Sequence, residues 1–222
     1  MKIKQIVACA ALVAATAVSA PAFAGATGNV GAYNQYVFRG VDQTSNGAAV
    51  QGGLDYSSAS GFYIGSWASN TSFAGTEVDA YGGYAGKIGE VGYDIGALYY
   101  YYTDVSAINT VEGYLGLSYG LVSAKYFYSP DFFGTDEAGS YLTSSIGFPL
   151  SETLKISLNV GYSFGDGVKA TFGDDYLDYG ATLSKDIGSG FSASFAAIGN
   201  DLEGTGLDKG KVVIGIKKSF DL

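Results

Sequence analysis

Apolar and polar residues alternate with a period of two along most of the chain. In the clearest stretch, residues 154–164, Leu, Ile, Val, Tyr and Phe take the even positions, and Lys, Ser, Asn and Gly take the odd ones. Such a period is typical of strands with two chemically different faces, and no segment keeps a helical period for long. The sequence therefore predicts an all-β protein.

About twelve strands follow from this alternation. They are predicted at residues 29–39, 48–57, 61–69, 76–86, 90–102, 110–119, 121–129, 139–148, 152–164, 175–186, 190–199 and 210–222. A strand that crosses a bilayer at a tilt needs about 9 to 11 residues, which is close to these lengths.

The connections between the predicted strands alternate in length. Long polar links such as 40–47 and 165–174 are separated by tight ones such as 58–60 and Gly120. Connections in a soluble sandwich cross between sheets and need no such order. A barrel in an outer membrane has short turns at one rim and longer loops at the other. We therefore predict a transmembrane up-and-down antiparallel β-barrel with both termini at one rim.

The first 24 residues have the features of a secretory signal peptide. Lys2 and Lys4 precede an apolar run at 6–15, and Ala-Phe-Ala at 22–24 matches a cleavage site. We expect cleavage after Ala24, export to the bacterial outer membrane, and a barrel formed by residues 25–222.

Composition excludes several functions. The chain has no histidine, which removes the commonest general base and metal ligand. Its net charge of −9 argues against nucleic acid as a partner. Acidic runs in the links at 131–137 and 166–178 lack the spacing of an EF-hand, so solvated loop charge explains them. We predict no catalytic residues, no metal and no cofactor, and hence no enzyme.

Aromatic residues cluster near predicted strand ends, at 99–102 and 126–128. We expect them to form a girdle at the membrane interface. Ordinary strand propensity and a platform for carbohydrate are the alternatives.

Several segments resemble the TorF porin family of Gram-negative bacteria, and the resemblance covers essentially all of the chain after the predicted signal peptide. The similar segments are 36–41, 51–56, 65–70, 77–79, 81–84, 112–114 and 124–126. The resemblance implies an outer-membrane β-barrel that passes small solutes, and no ligand residue is carried over from it. Many outer-membrane proteins end in Phe. Here Leu222 keeps the apolar register and would serve as the signal to the barrel-assembly machinery.

If the apolar face meets outer-membrane lipid, the opposite face lines the lumen. Charged residues predicted there, as determinants of selectivity, are Arg39, Asp55, Glu77, Asp79, Asp94, Glu112, Lys125, Lys155 and Lys217. Five anions against four cations predict a weakly cation-preferring channel for passive diffusion of small polar solutes. Alternatively these charges pair and fill the barrel. Arg39, expected at the outer end of the first strand, is a candidate constriction residue.

A function of another class stays open at this point. A non-conducting structural or adhesive barrel, with acidic external loops that contact a partner, would show the same alternation. The solute and the oligomeric state do not follow from the sequence.

Overall fold

The computed structural model describes residues 24–204, 206–207 and 210–222. Twelve antiparallel strands form a closed barrel in which each strand pairs with its neighbours in the chain, and the first pairs with the last. The predicted fold class is therefore confirmed. The predicted signal peptide lies outside the described residues apart from Ala24. Within the described part of the chain, no helix is both long and apolar enough to cross a membrane.

The described residues contain fourteen strands, numbered β1 to β14 in chain order, and twelve of them form the barrel. The barrel strands are β1 (Gly25–Tyr33), β4 (Ala49–Ser57), β5 (Phe62–Asn70), β6 (Thr76–Ile88), β7 (Val91–Tyr102), β8 (Thr110–Tyr119), β9 (Val122–Ser129), β10 (Gly139–Pro149), β11 (Leu154–Phe164), β12 (Tyr176–Gly188), β13 (Phe191–Asn200) and β14 (Lys211–Asp221).

The apolar side chains lie on the outside of the barrel. On β11, Leu158 is 43% exposed and Val160 is 49% exposed, whereas Gly161 and Ser163, further along the strand on the opposite face, are buried. Closure leaves no unpaired strand edge, so backbone N–H and C=O groups in the wall are satisfied by neighbouring strands. The fold thus presents an apolar surface outward and a polar surface inward.

Long and short links alternate around the barrel as predicted. The short ones, such as 89–90 and 120–121, lie at the end of the barrel where β1 begins and β14 ends, and we call this the turn end. The long ones gather at the opposite end, the loop end. They contain two 3-10 turns, Ser106–Ile108 and Phe132–Gly134, and one short helix, α1 (Asp166–Phe172).

The prediction for the first strand was wrong. β1 ends at Tyr33, and residues 34–48 turn into the barrel, where β2 (Val37–Phe38) pairs with β3 (Val41–Asp42). We call residues 37–42 the inner hairpin. Its two-residue turn places both Arg39 (φ 46°) and Gly40 (φ 79°) in the left-handed region, as the tight turns favoured in β-hairpins require.

The expected aromatic girdle was only half right. Tyr99 and Tyr101 face outward, but Tyr100 and Tyr102 are buried inside the barrel, as is Phe127 on β9. The physical reason is the period of two, which sends consecutive aromatic residues to opposite faces.

Candidate functional site

The loop-end half of the lumen is occupied by the inner hairpin and the residues that lead into it. On one side, the ring of Tyr36 packs edge-on against Trp67 of β5, with centroids 5.3 Å apart. On the other side, the amide of Asn200, at the end of β13, donates to the backbone oxygen of Gly40 at 2.7 Å. The segment therefore crosses the lumen from wall to wall.

Arg39 lies at the tip of the inner hairpin and is 2% exposed. Its Nη2 contacts Oε2 of Glu112 at 2.6 Å. The guanidinium carbon also lies 4.3 Å from the ring centroid of Tyr141 and 5.3 Å from that of Phe127. Burial alone would lower the pKa of Arg39, but the negative charge of Glu112 opposes this, and the net pKa is above its ordinary value. Arg39 therefore stays charged inside the barrel. It lies in a turn, not at the end of the first strand as expected.

Two further carboxylates line the same half of the lumen on β6. Glu77 accepts a hydrogen bond from the hydroxyl of Tyr36 at 2.9 Å. Burial, followed by the charges of Glu77 and Asp79, raises the pKa of Tyr36, so its hydroxyl stays a donor. Asp79 is 7% exposed, and its Oδ1 has no hydrogen-bond partner among the described residues.

The inner hairpin is also tied where the chain returns to the wall. Asp42 accepts hydrogen bonds from the backbone N–H groups of Thr44 at 2.9 Å and Asn46 at 2.6 Å. Lys211 of β14 lies 3.7 Å from the same carboxylate. These contacts fix the base of the segment, whereas Arg39 fixes its tip.

A second charged group lies in the middle of the lumen. Lys125 contacts Asp94 at 2.7 Å, and its ammonium lies 4.2 Å from the ring centroid of Tyr114. The hydroxyl of Tyr63 donates to Asp94 at 2.5 Å. Nearby, Asp55 accepts from the hydroxyl of Tyr81 at 2.5 Å. All six residues of this group lie on strands of the barrel wall, so the group does not depend on the inner hairpin.

The turn-end half of the lumen is lined by small polar side chains that are only partly buried. They alternate with the outward apolar residues and are Asn29, Ser123, Ser145, Ser157, Asn159, Ser184, Ser192 and Ser194. The lumen is therefore polar towards the turn end and densely packed at the loop end.

Lys155 and Lys217 lie apart from these clusters. Lys155 is exposed near the turn end, and its side chain covers Gly147, where an added Cβ would come within 2.6 Å of Cε. Lys217 is buried on the inward face of β14, where it is paired in register with Gly31 and Ser192.

The loop-end half of the lumen contains an acidic residue that was not among those predicted from the sequence. Asp178, at the loop end of β12, is 1% exposed and faces inward beside Gly40. Its signal is present in the alternation of Tyr176, Asp178 and Thr182 with outward Leu177 and Tyr179. Tyr36 lies inside the barrel and not in a wall strand as predicted. Its contact with Glu77 therefore does not follow from the predicted strands. In the described ranges, no three His, Cys, Asp or Glu side chains are placed to hold a metal ion.

One family model matches most of the chain. The model of one family, described as "Bacterial protein of unknown function (Gcw_chp)", matches residues 14–220. No curated protein matches the chain at a significant level. The matching family carries a different name from TorF, so membership of the TorF family stays a prediction.

Solved structures of porins share the fold at low sequence identity. A structure described as the KdgM porin aligns with a TM-score of 0.63 and 13% identity, over 87% of this chain and 99% of that one. A KdgM porin in complex with disordered oligogalacturonate aligns with a TM-score of 0.61 and 12% identity, over 88% of this chain and 99% of that one. The NanC porin aligns with a TM-score of 0.60 and 12% identity, over 89% of this chain and 100% of that one. The chain thus has the fold of a porin-like outer-membrane barrel.

Proposed function

The chain belongs to the Gcw_chp family, whose description gives no function, and from its barrel we propose a cation-preferring outer-membrane channel for small polar solutes. The observation that carries this proposal is a closed barrel with an apolar outside and a polar lumen that is rich in carboxylates. No catalytic step and no cofactor are proposed.

The outer surface supports a place in a membrane. Large apolar side chains such as Leu54, Ile64, Ile95, Leu158 and Ile214 are exposed around the barrel. In water such a surface would aggregate, whereas lipid covers it without cost. The turn end, where β1 begins and β14 ends, would face the periplasm, and the loop end would face outward. Outer-membrane lipid would then be the partner of the outside, and the barrel-assembly machinery would insert the exported chain.

The charges of the lumen support a preference for cations. Asp178 adds a sixth carboxylate to the five predicted, against four predicted cations. Two of those cations, Arg39 and Lys125, already contact a carboxylate. One oxygen of Asp79 and one oxygen of Asp178 have no hydrogen-bond partner among the described residues. An excess of fixed negative charge in a narrow lumen attracts cations and repels anions. Oligogalacturonate, a polyanion held by the KdgM porin, therefore suits this lumen poorly.

A non-conducting structural barrel is the second candidate, and the inner hairpin favours it. Arg39, Glu77, Glu112 and Tyr141 are each at most 2% exposed, so water has little access to the loop-end half of the lumen in this conformation. A channel requires that this segment leaves room, or moves, when solutes pass. The two candidates therefore differ in whether the barrel conducts.

Planar-bilayer recording of the refolded chain separates them. We expect discrete conductance steps and, under a salt gradient, a reversal potential that indicates cation preference. Asp79→Asn should shift the reversal potential towards zero, because Asp79 is a lumenal carboxylate and its Oδ1 has no hydrogen-bond partner among the described residues. Glu152→Gln removes the same charge from an exposed turn and is the matched control. A barrel that inserts without conducting would contradict the channel. Equal reversal potentials in wild type and Asp79→Asn would contradict the role of the lumenal charges.

A further inference from the structure

We propose that the barrel wall around Arg39 is a binding site for solutes that carry a guanidinium group, and that Arg39 occupies it as an internal ligand. The site consists of Glu112, Phe127 and Tyr141, with Asp178 behind them, and we call it the wall cage. The inference rests on the proposed function, because it names the solute class that would reach and open the channel.

The geometry of the wall cage suits a flat cation. Glu112 contacts one terminal nitrogen of the guanidinium at 2.6 Å, and the rings of Tyr141 and Phe127 lie 4.3 Å and 5.3 Å from its central carbon. A carboxylate combined with aromatic faces is the usual environment of bound guanidinium and ammonium groups. The three residues come from the adjacent strands β8, β9 and β10, so the sheet holds them in place without the inner hairpin.

The wall cage needs a cation to balance its charge. Tyr141 turns its ring to Arg39 while its hydroxyl donates to Oδ1 of Asp178 at 3.3 Å. The other oxygen of Asp178 has no hydrogen-bond partner among the described residues, although the side chain is 99% buried. Buried carboxylates without a counter-charge are costly, so an empty cage would be unfavourable.

Arg39 uses only some of its hydrogen-bond donors in the wall cage. Its Nε and Nη1 have no hydrogen-bond partner among the described residues. Its backbone also holds a positive φ, which is unfavourable for a residue with a side chain. A free solute that enters from the polar turn end would bind the same groups without this constraint. It would then release the tip of the inner hairpin, which couples recognition of the solute to opening of the lumen.

The decisive experiment uses methylguanidinium and the variant Arg39→Gly, which empties the cage and relieves the turn. In detergent at constant ionic strength, we expect methylguanidinium to raise the melting temperature of Arg39→Gly by about 2–4 °C, with saturation. Urea, which has the same shape without the charge, is the control ligand and should not do so. Adding Glu112→Gln to Arg39→Gly should abolish the effect.

Trp67, the one tryptophan of the sequence, gives a second measurement on the wild type that does not need a variant to fold. Its ring packs on Tyr36, so displacement of the inner hairpin should change its fluorescence when methylguanidinium is added, and not when urea is added. A folded Arg39→Gly barrel without a melting shift, or an unchanged Trp67 signal, would overturn the inference. Both measurements are independent of conduction. A barrel that binds methylguanidinium without conducting would support the wall cage and contradict only the proposed channel. A barrel that conducts without binding methylguanidinium would support the channel and contradict the wall cage.

Discussion

Oε2 of Glu112 lies 2.6 Å from Nη2 of Arg39, and this ion pair joins the tip of the inner hairpin to the wall of the barrel. The two residues are 73 positions apart in the chain. Truncating one partner of a buried pair leaves the other charge without compensation, which costs about 3–5 kcal/mol. A segment that is not part of the wall can escape this cost by moving into water.

Exposure of Arg39 to an arginine-specific protease tests this relationship. Arg39 is the only arginine of the sequence, so cleavage after it yields one defined pair of fragments. We expect the folded wild type to resist cleavage because Arg39 is buried, and Glu112→Gln to be cut. Glu152→Gln, in an exposed turn, should resist like the wild type. Rapid cleavage of the folded wild type would show that the inner hairpin is not held in the lumen.

A reversible lock on the inner hairpin tests whether its displacement is needed for conduction. Ser45, just after the hairpin, and Ser72, in the next long link, have hydroxyl oxygens 2.8 Å apart. A cysteine pair at these positions needs only a small adjustment to reach the sulfur separation of a disulfide. In bilayers, the oxidised S45C/S72C variant should lose most of its open time and regain it after reduction. The two single variants are the controls, and identical currents before and after reduction would mean that the hairpin is static.

The strands of the barrel could be predicted because their cause is local. Every second side chain of a spanning strand meets lipid. The pattern in residues 154–164 therefore indicates both that a strand is present and which of its faces points outward. The alternation of short and long links then follows from the up-and-down topology. Even so, residues 36–38 carry apolar and aromatic side chains that suit a wall strand equally well. The types of these side chains alone do not distinguish a strand of the wall from a strand inside the barrel.

The inner hairpin depends on contacts that are distant in the chain. Asn200 is 160 positions away from Gly40, and Glu112 is far from Arg39, so their pairing follows only once the barrel has closed. The local signal that was available is the dipeptide Arg39-Gly40, since a glycine in the second position of a tight turn interrupts a strand. Sequence reasoning therefore found the charges of the lumen but not the segment that fills it.

Neighbouring residues on β11 test which face meets lipid. Leu158 points outward and Asn159 inward, near the middle of the strand. A lysine on the lipid face of a barrel costs about 2–4 kcal/mol near the bilayer midplane. We expect Leu158→Lys to lower the free energy of unfolding from vesicles by that amount, and Asn159→Lys to change it little. The reverse order in urea titrations would mean that the faces are assigned the wrong way round.

The contact between Tyr33 and Gly215 tests the packing of the barrel where its first and last strands meet. The two residues are paired in register on β1 and β14, and a Cβ added to Gly215 would overlap the ring of Tyr33. Overpacking of this kind costs about 1–3 kcal/mol, so Gly215→Ala should destabilise the barrel by that amount in urea titrations. Gly113→Ala, at a position where a Cβ meets nothing within 4 Å, is the control and should be nearly neutral. Because both contacts of the added Cβ that are shorter than 3.0 Å are with this ring, Gly215→Ala should add little further loss in a Tyr33→Ala background. If the losses of stability from Gly215→Ala and Tyr33→Ala were additive in the double variant, the ring of Tyr33 would not lie on Gly215, and the contact between β1 and β14 would be packed in another way.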